Sequence, residues 1–471
     1  VVKKSPDKFS CQDILQATGG KLTRGKLSTG FKDIATDSRK IKPGELFIAL
    51  KGERYDGHNF LKQAISRGAV GLVVKEAATS RGLTSRERAA VIEVNDTLNA
   101  LGQIARYWRQ KHPIPLTAIT GSNGKTTTKE MLAGIMKHSF RVLKSEGNFN
   151  NLVGVPLTLL RLSAEHQIAV LEFGANQPGE IARLSEIADP QVGVITNVSD
   201  SHLEFFKTRE GVARAKGELF RTLKSGSSAV FNADDHRVVE LAEPYPGKKL
   251  SFGIKSQADV RAENILSRGI RGTEFKLCVP GDSTSLALSI PGRANVYNAL
   301  AAVAAARIFE VNLATIKKAL ERLTPCPGRL EIIPLSRGIY LLNDTYNANP
   351  KSMEESLSTL VNLSKGGRAI AVLADMLELG EASESFHRQL GRTVAELKVD
   401  LLFITGQWAE AVARGAEEKG MDKESVFIGK DHEGIARQLK GIIRKGDWIL
   451  IKGSRKMRME GILDSLLGKK G

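Results

Sequence analysis

Gly121-Ser122-Asn123-Gly124-Lys125-Thr126-Thr127 brings two glycines, a lysine and hydroxyls into one short run, a combination suited to holding phosphate. Glycines let successive backbone N–H groups turn toward phosphate oxygens, and the positive end of a following helix favours the anion. Lys125 would neutralise charge on the β- and γ-phosphates, and the Thr126 hydroxyl would reach Mg2+. The pattern departs from G-x-x-x-x-G-K-[ST] in one place. The first glycine would fall at position 119, where the chain has Ile119, so the loop is a variant built on Thr120-Gly121.

Three further residues could complete such a site. Glu172 closes the apolar run Ile168 to Leu171, and in a parallel sheet the C-terminal strand ends face the ligand crevice. A carboxylate there is placed to hold Mg2+. His202 follows the next apolar run, one strand over. Lys216 lies on the helical segment after it and, by pattern alone, reads as an exposed lysine.

The elements that must position these groups fall into three blocks. Residues 1–112 carry strand-like pieces at Glu45 to Leu50 and Val70 to Val74 around a helical pattern at Phe60 to Arg67, followed by a helix over Thr97 to Lys111 that His112-Pro113 ends. In residues 113–326, apolar strands at Leu116 to Thr120, Ile168 to Phe173 and Val192 to Asn197 alternate with helices, which predicts a parallel sheet covered on both faces. Leu250 to Ser289 is Gly-punctuated and strand-like, a small antiparallel appendage, and an alanine-rich helix spans Asn295 to Phe309. Residues 327–471 repeat the βα rhythm, with strands at Ile339 to Asn343, Ala369 to Leu373, Leu401 to Thr405, Ser425 to Ile428 and Trp448 to Ile451. The expected class is α/β.

Bulk properties narrow the function. At 471 residues the chain needs more than one core. No apolar run is long enough to span a membrane, and Val1-Val2-Lys3-Lys4-Ser5-Pro6 lacks the apolar core of a signal peptide, which predicts a cytoplasmic protein. Three separated cysteines (Cys11, Cys278, Cys326) offer neither a disulfide framework nor a zinc site. The net charge of +17 raises nucleic acid as a partner. The basic residues are scattered, however, and a highly charged small substrate accounts for them as well.

Taken in order, several motifs resemble those of the Mur ligases of peptidoglycan synthesis. They are Asp37-Ser38-Arg39, Gly52 to His58, Thr120 to Thr128, Gly147 to Asn151, Glu172 to Asn176, Thr196 to Leu203, Pro327-Gly328-Arg329, Asn343 to Pro350 and Lys452 to Arg455. Within the family the closest resemblance is to the dipeptide-adding type. The resemblance implies three domains: 1–112 holding the UDP moiety, 113–326 a phosphate-loop ATPase, and 327–471 a Rossmann-like domain that closes on ATP and takes the incoming dipeptide. It implies ATP and Mg2+ as cofactors, and UDP-N-acetylmuramoyl-tripeptide and D-alanyl-D-alanine as substrates, joined through an acyl-phosphate by a monomer without nucleic acid.

Carried over by motif, residues 121–127 would bind ATP phosphates (Gly121, Ser122, Asn123, Gly124, Lys125, Thr126 and Thr127), with Arg329 beside them. Asn295 and Asn298 would lie by the adenine and Asp344 on the ribose. Thr126, Glu172, His202 and Lys216 would serve metal, the last after carbamylation, and Lys125, Glu172, His202 and Lys216 are the catalytic set. Ser38, Arg39, Asn150 and Asn151 would face the UDP-linked substrate. Two departures are Ala294, where relatives commonly carry His, and Ala374 in place of a frequent Gly. The rival within the family is the diamino-acid-adding enzyme. Its usual Asp-Asn-Pro-Arg tetrapeptide is missing here.

Overall fold

The computed structural model describes residues 8–76 and 88–468, so the signal-peptide reading at Val1 to Pro6 lies outside the described residues. The chain divides into two compact units. One comprises Val1–Pro115, Leu143–Ala169 and Arg183–Asp189; the other comprises Leu116–Val142, Val170–Ala182 and Pro190–Gly471.

In the first unit, Ser10 caps the helix Cys11–Thr18 through a reciprocal box with Asp13. A five-stranded sheet runs in the order Lys21–Arg24, Ala90–Val94, Gly71–Lys75, Leu46–Ile48, Ile34–Ala35. All its pairs are parallel except the first. Phe47, Leu61, Leu72, Val74 and Val91 form the core on one face. The helix Thr97–Lys111 ends where the His-Pro step predicts. Its Arg109 is buried, with the Asp189 charge acting on it but no carboxylate hydrogen-bonded to it among the described residues. Instead its guanidinium donates to the carbonyls of Ala188 (3.0 Å), His112 (2.5 Å) and Ile114 (2.6 Å), which satisfies a cation that burial would otherwise penalise.

The second unit carries two sheets. Along the first, strands follow in the order Asp282–Leu288, Thr273–Val279, Val260–Ser267, Lys248–Gly253, Ser228–Asn232, Val192–Ile195, Leu116–Thr120, Ile168–Glu172. The antiparallel appendage is therefore an extension of the central sheet. Lys248–Gly253 pairs in parallel with Ser228–Asn232, and antiparallel pairing begins between Val260–Ser267 and Thr273–Val279. The other sheet has the order Glu331–Pro334, Tyr340–Asp344, Trp448–Lys452, Ala369–Ala374, Leu401–Thr405, Val426–Ile428. It is parallel except at its first pair. Residues Ala369–Ala374 and Trp448–Lys452 are buried throughout, as strands covered by helices on both faces must be. Parallel strands align their C-terminal ends, and that alignment gathers the polar groups described next.

Candidate active site

The buried strand Leu116–Thr120 runs into Gly121 at φ +141°, and Gly124 at φ +81° opens the helix Lys125–Met136. Both glycines are required for space as well as for backbone angle. A Cβ on Gly121 would lie 2.0 Å from Thr196 Oγ1, and one on Gly124 would lie 2.1 Å from Asn298 Oδ1. The neighbouring strand end holds the loop in shape. Ser122 N donates to Asn197 O at 2.9 Å, Asn123 N to Asn197 Oδ1 at 3.0 Å, and Ser199 N to Ser122 Oγ at 2.9 Å. Thr196 Oγ1 donates to Asn123 O at 2.6 Å. Sequence reasoning assigned Thr196, Asn197 and Ser199 no such role. The cue was their placement straight after a buried strand beside the loop.

Lys125 folds back over the loop, its Nζ donating to Gly121 O at 2.8 Å and Ser122 O at 3.2 Å. Burial holds its ammonium below the ordinary lysine range, while Glu172 pulls the other way. Thr126 Oγ1 donates to Glu172 Oε2 at 2.7 Å and accepts from Arg329 Nη2 at 2.8 Å. The Arg329 guanidinium lies 3.9 Å from the ring centre of Tyr346, a cation–π contact that orients it. Lys125, Thr126, Glu172 and Arg329 are thus gathered at one place.

The Thr126–Glu172 pair presents hard oxygen donors beside a phosphate loop. That suits Mg2+, which takes one or two carboxylates, keeps several waters and completes its shell from phosphate oxygens. Among the described residues no group of three or more His, Cys, Asp or Glu is placed to hold a metal ion.

His202 has left-handed backbone angles (φ 54°) and precedes the short helix Leu203–Phe206. Its Nδ1 lies 2.6 Å from Glu378 Oε2, a partner that sequence reasoning missed. Lys216 corrects the reading of an exposed lysine, since it is 1% exposed. On the helix Arg209–Thr222 it shares the buried stripe of Val212, Ala215 and Leu219, at the i, i+3, i+4, i+7 spacing of a core-facing side. The charged residues on the other faces obscured that stripe. Its Nζ lies 5.8 Å from the ring centre of Phe206. Burial, reinforced by Lys125, pushes its pKa down to about 7.

The two asparagines of the helix Arg293–Ile308 form a polar string toward the loop. Asn295 Nδ2 donates to Pro291 O at 2.8 Å, Asn298 Nδ2 donates to Asn295 Oδ1 at 3.2 Å, and Asn298 Oδ1 accepts from Thr128 Oγ1 at 3.5 Å. Asn349, also missed, donates through Nδ2 to Asn123 Oδ1 at 2.7 Å. Asp344 belongs to another cluster. Its Oδ1 accepts from Leu330 N at 3.2 Å, and its Oδ2 accepts from Ser356 Oγ at 2.6 Å and from Lys452 Nζ.

The remaining candidates lie in the first compact unit. Ser38 Oγ donates to Gln63 Oε1 at 2.7 Å, and the exposed Arg39 is held by Asp37 at 2.9 and 3.0 Å. Asn151 Oδ1 accepts from Val153 N and Gly154 N at the start of the helix Gly154–Leu159, and Asn150 adjoins it.

Comparison with known proteins gives a consistent result. The family model described as Mur ligase family, catalytic domain matches residues 31–109, the Mur ligase middle domain matches 119–306, and the Mur ligase, glutamate ligase domain matches 328–455. A UDP-N-acetylmuramoyl-tripeptide–D-alanyl-D-alanine ligase of Bacillus subtilis is 36% identical over 461 residues, covering 98% of each chain. The Escherichia coli protein of the same name is 38% identical, covering 92% of this chain and 93% of its own. A crystal structure of MurF from Acinetobacter baumannii superposes with a TM-score of 0.90 at 36% identity, covering 99% of this chain and all of that one. The MurF ligase of Thermotoga maritima in complex with ADP gives 0.82 at 30% identity, covering 93% and 97%.

Proposed function

The chain belongs to the Mur ligase family, and from that premise we infer that it joins D-alanyl-D-alanine to UDP-N-acetylmuramoyl-tripeptide at the expense of ATP, the last peptide extension of a UDP-linked peptidoglycan precursor. The tripeptide carboxylate attacks the γ-phosphorus of ATP, forming an acyl-phosphate and releasing ADP. The dipeptide amine then attacks the acyl carbon, loses a proton and expels inorganic phosphate. A water molecule would compete in the second step, so the intermediate must be shielded until the amine arrives.

One observation carries this reading: Lys125 and Arg329 flank the Thr126–Glu172 pair at the mouth of the phosphate loop. The transition state of phosphoryl transfer spreads negative charge over several oxygens, and fixed cations stabilise it without reorganising. Lys125 is placed to grip the transferring phosphate once a nucleotide draws it off the Gly121 and Ser122 carbonyls. Mg2+ bound by Thr126 and Glu172, with His202 and a modified Lys216 serving a second ion, would neutralise the phosphate oxygens.

Lys216 supports that last role through its environment. Carbamylation consumes a neutral amine and CO2 and leaves a carbamate anion and a proton. A lysine titrating near 7 supplies the neutral form far more readily than one at its ordinary value. The assignments of Asn295 and Asn298 to adenine, Asp344 to ribose, and Ser38, Arg39, Asn150 and Asn151 to the UDP-linked substrate rest on the family motifs. So do the functional blocks 1–112, 113–326 and 327–471. No helix among the described residues is long and apolar enough to cross a membrane. The use of ATP with a nucleotide-linked acceptor supports a cytoplasmic reaction.

The test is phosphate release from ATP with each UDP-N-acetylmuramoyl peptide, dipeptide and tripeptide, against D-alanyl-D-alanine, L-lysine or diaminopimelate. Release should depend on D-alanyl-D-alanine. Release driven by diaminopimelate on the UDP-linked dipeptide acceptor would instead assign the chain to the diamino-acid-adding branch.

A further inference from the structure

Asn349 stands just before the helix Pro350–Leu363, which packs on the C-terminal sheet, and it is buried. It starts that helix as its N-cap. Its Oδ1 accepts from Ser352 N at 2.9 Å, and its own N donates back to Ser352 Oγ at 3.0 Å. The cap decides which way round the amide lies. The oxygen is committed to Ser352 N, so the Nδ2 donor has to be used elsewhere. It is used on the phosphate loop, donating to Asn123 Oδ1 at 2.7 Å, and Asn123 Nδ2 approaches Asn349 Oδ1 at 3.4 Å in return.

Every polar group of Asn123 is engaged. Its N donates to Asn197 Oδ1, its O accepts from Thr196 Oγ1 at 2.6 Å and from Asn197 Nδ2 at 3.2 Å, and its Nδ2 donates to Ser199 Oγ at 3.1 Å. Those bonds come from the strand end beside the loop, in the central sheet. The bond from Asn349 comes from a helix of the other sheet. The same helix meets the nucleotide side a second time. A Cβ on Gly292 would lie 2.8 Å from Thr359 Oγ1, and Gly292 precedes the helix that carries Asn295 and Asn298. Asn349 and Thr359 are ten positions apart (359 − 349), about 15 Å along a helix. One rigid element therefore bears on the phosphate loop at its start and on the asparagine-bearing helix further along.

We propose that Asn349 is a positioning residue: through Nδ2 it sets the Asn123 side chain, and so makes the shape of the phosphate loop depend on the helix Pro350–Leu363 being seated. Gly121 and Gly124 leave the loop's backbone permissive, and a permissive loop binds well only if it is held in shape beforehand. Ordering that is complete before the nucleotide arrives is not charged against its affinity. Linkage makes the effect mutual, since a nucleotide that favours the held loop also favours the seated helix. Asn349 thus has two tasks on different atoms, Oδ1 capping the helix and Nδ2 holding the loop, and substitution can separate them. The inference rests on the ligase reading for the loop's use of a nucleotide, and not for which amino acid is added.

The experiment uses the full-length chain, with ADP and Mg2+ affinity read by calorimetry and loop order by hydrogen exchange without nucleotide. Asn349→Ser keeps a capping oxygen and removes the Nδ2 donor. It should bind ADP about 5- to 10-fold more weakly, the worth of one hydrogen bond. Exchange over residues 121–127 should quicken, while residues 353–363 keep wild-type protection. Asn349→Ala also loses the cap, so it should add faster exchange at the helix start. In an Asn123→Ala background, Asn349→Ser should weaken ADP by less than about 2-fold further, because the two amides act as one unit. Unchanged ADP affinity in Asn349→Ser overturns the proposal, as do losses that multiply in the double variant. If Asn349→Ser is poorly folded, Asn123→Ala decides alone: exchange over residues 346–352 should quicken there, and an unchanged rate overturns the proposal. Failure of the ligase reading would look different, as wild-type protein that binds ADP but releases no phosphate in response to D-alanyl-D-alanine. Wild-type protein that binds no ADP at all would overturn both.

Discussion

Two sets of strand ends in this molecule are chemically similar and physically opposite. At the phosphate loop, Thr126 donates to Glu172 and accepts from Arg329, and the Glu172 charge acts on both Lys125 and Lys216. Lys125 rests on backbone carbonyls, and burial depresses both lysines. At the ends of Tyr340–Asp344 and Trp448–Lys452, Asp344 accepts from Lys452, Ser356 and Leu330, and Lys452 also donates to Asn347 O at 3.1 Å. The first cluster leaves the Lys125 ammonium on carbonyl oxygens, with no carboxylate hydrogen-bonded to it among the described residues. The second is satisfied from within. A site meant to receive several negative charges has to be left electrostatically unfinished, whereas a junction meant to hold two strands and a helix has to be complete.

The comparison breaks first at Lys125. Lys125→Ala should lower dipeptide-dependent phosphate release by about 10³-fold or more, roughly 4 kcal/mol of transition-state stabilisation, with an unchanged circular dichroism spectrum. Residual activity near wild type would mean the Lys125 ammonium serves no phosphate.

Lys216 tests the same cluster through stability. Its folded pKa is depressed from 10.5 to about 7, so between those values the unfolded chain binds more protons and stability rises with pH. The burial penalty is fully present below pH 7 and is relieved as pH climbs toward 10.5. Lys216→Met should therefore be more stable than wild type below pH 7, by about 3 kcal/mol or more, and the gain should shrink by pH 9 to 10 in urea titrations. A pH-independent difference would contradict the depressed lysine.

The C-terminal cluster should answer with lost stability. Lys452→Met leaves the buried Asp344 without its cation and should cost about 3 kcal/mol. The smallest effect belongs to Ser356→Ala, which removes one donor from an Asp344 that keeps two others, at about 1 kcal/mol. Both are read as shifts in urea midpoint. If Lys452→Met also raised the KM for ATP, that would support the assignment of Asp344 to the ribose; an unchanged KM would leave the cluster a purely structural junction.

Much of this was legible from residue order. The helices beginning at Thr97, Lys125 and Arg209 and the strands Leu116–Thr120 and Leu401–Thr405 start where the patterns predict, because each is marked by a cap, a proline or a glycine, or by an unbroken apolar run. The phosphate loop was legible for the same local reason. The antiparallel appendage was less so. Pairing is non-local, and nothing in Lys248–Gly253 itself states that it adds in parallel to Ser228–Asn232.

What the sequence determined by itself is the chemistry of short range: which residues turn, cap, alternate or carry charge, and hence the α/β class and the loop at Gly121 to Thr127. What the tertiary structure alone decided is which charges lose water and which meet. Lys216 changes from an ordinary surface lysine to a depressed one by lying on a buried helical stripe, and Glu378 reaches His202 from 176 positions away along the chain (378 − 202). Desolvation and Coulomb attraction depend on distance in space and on the surrounding dielectric, and neither quantity is written in the order of residues.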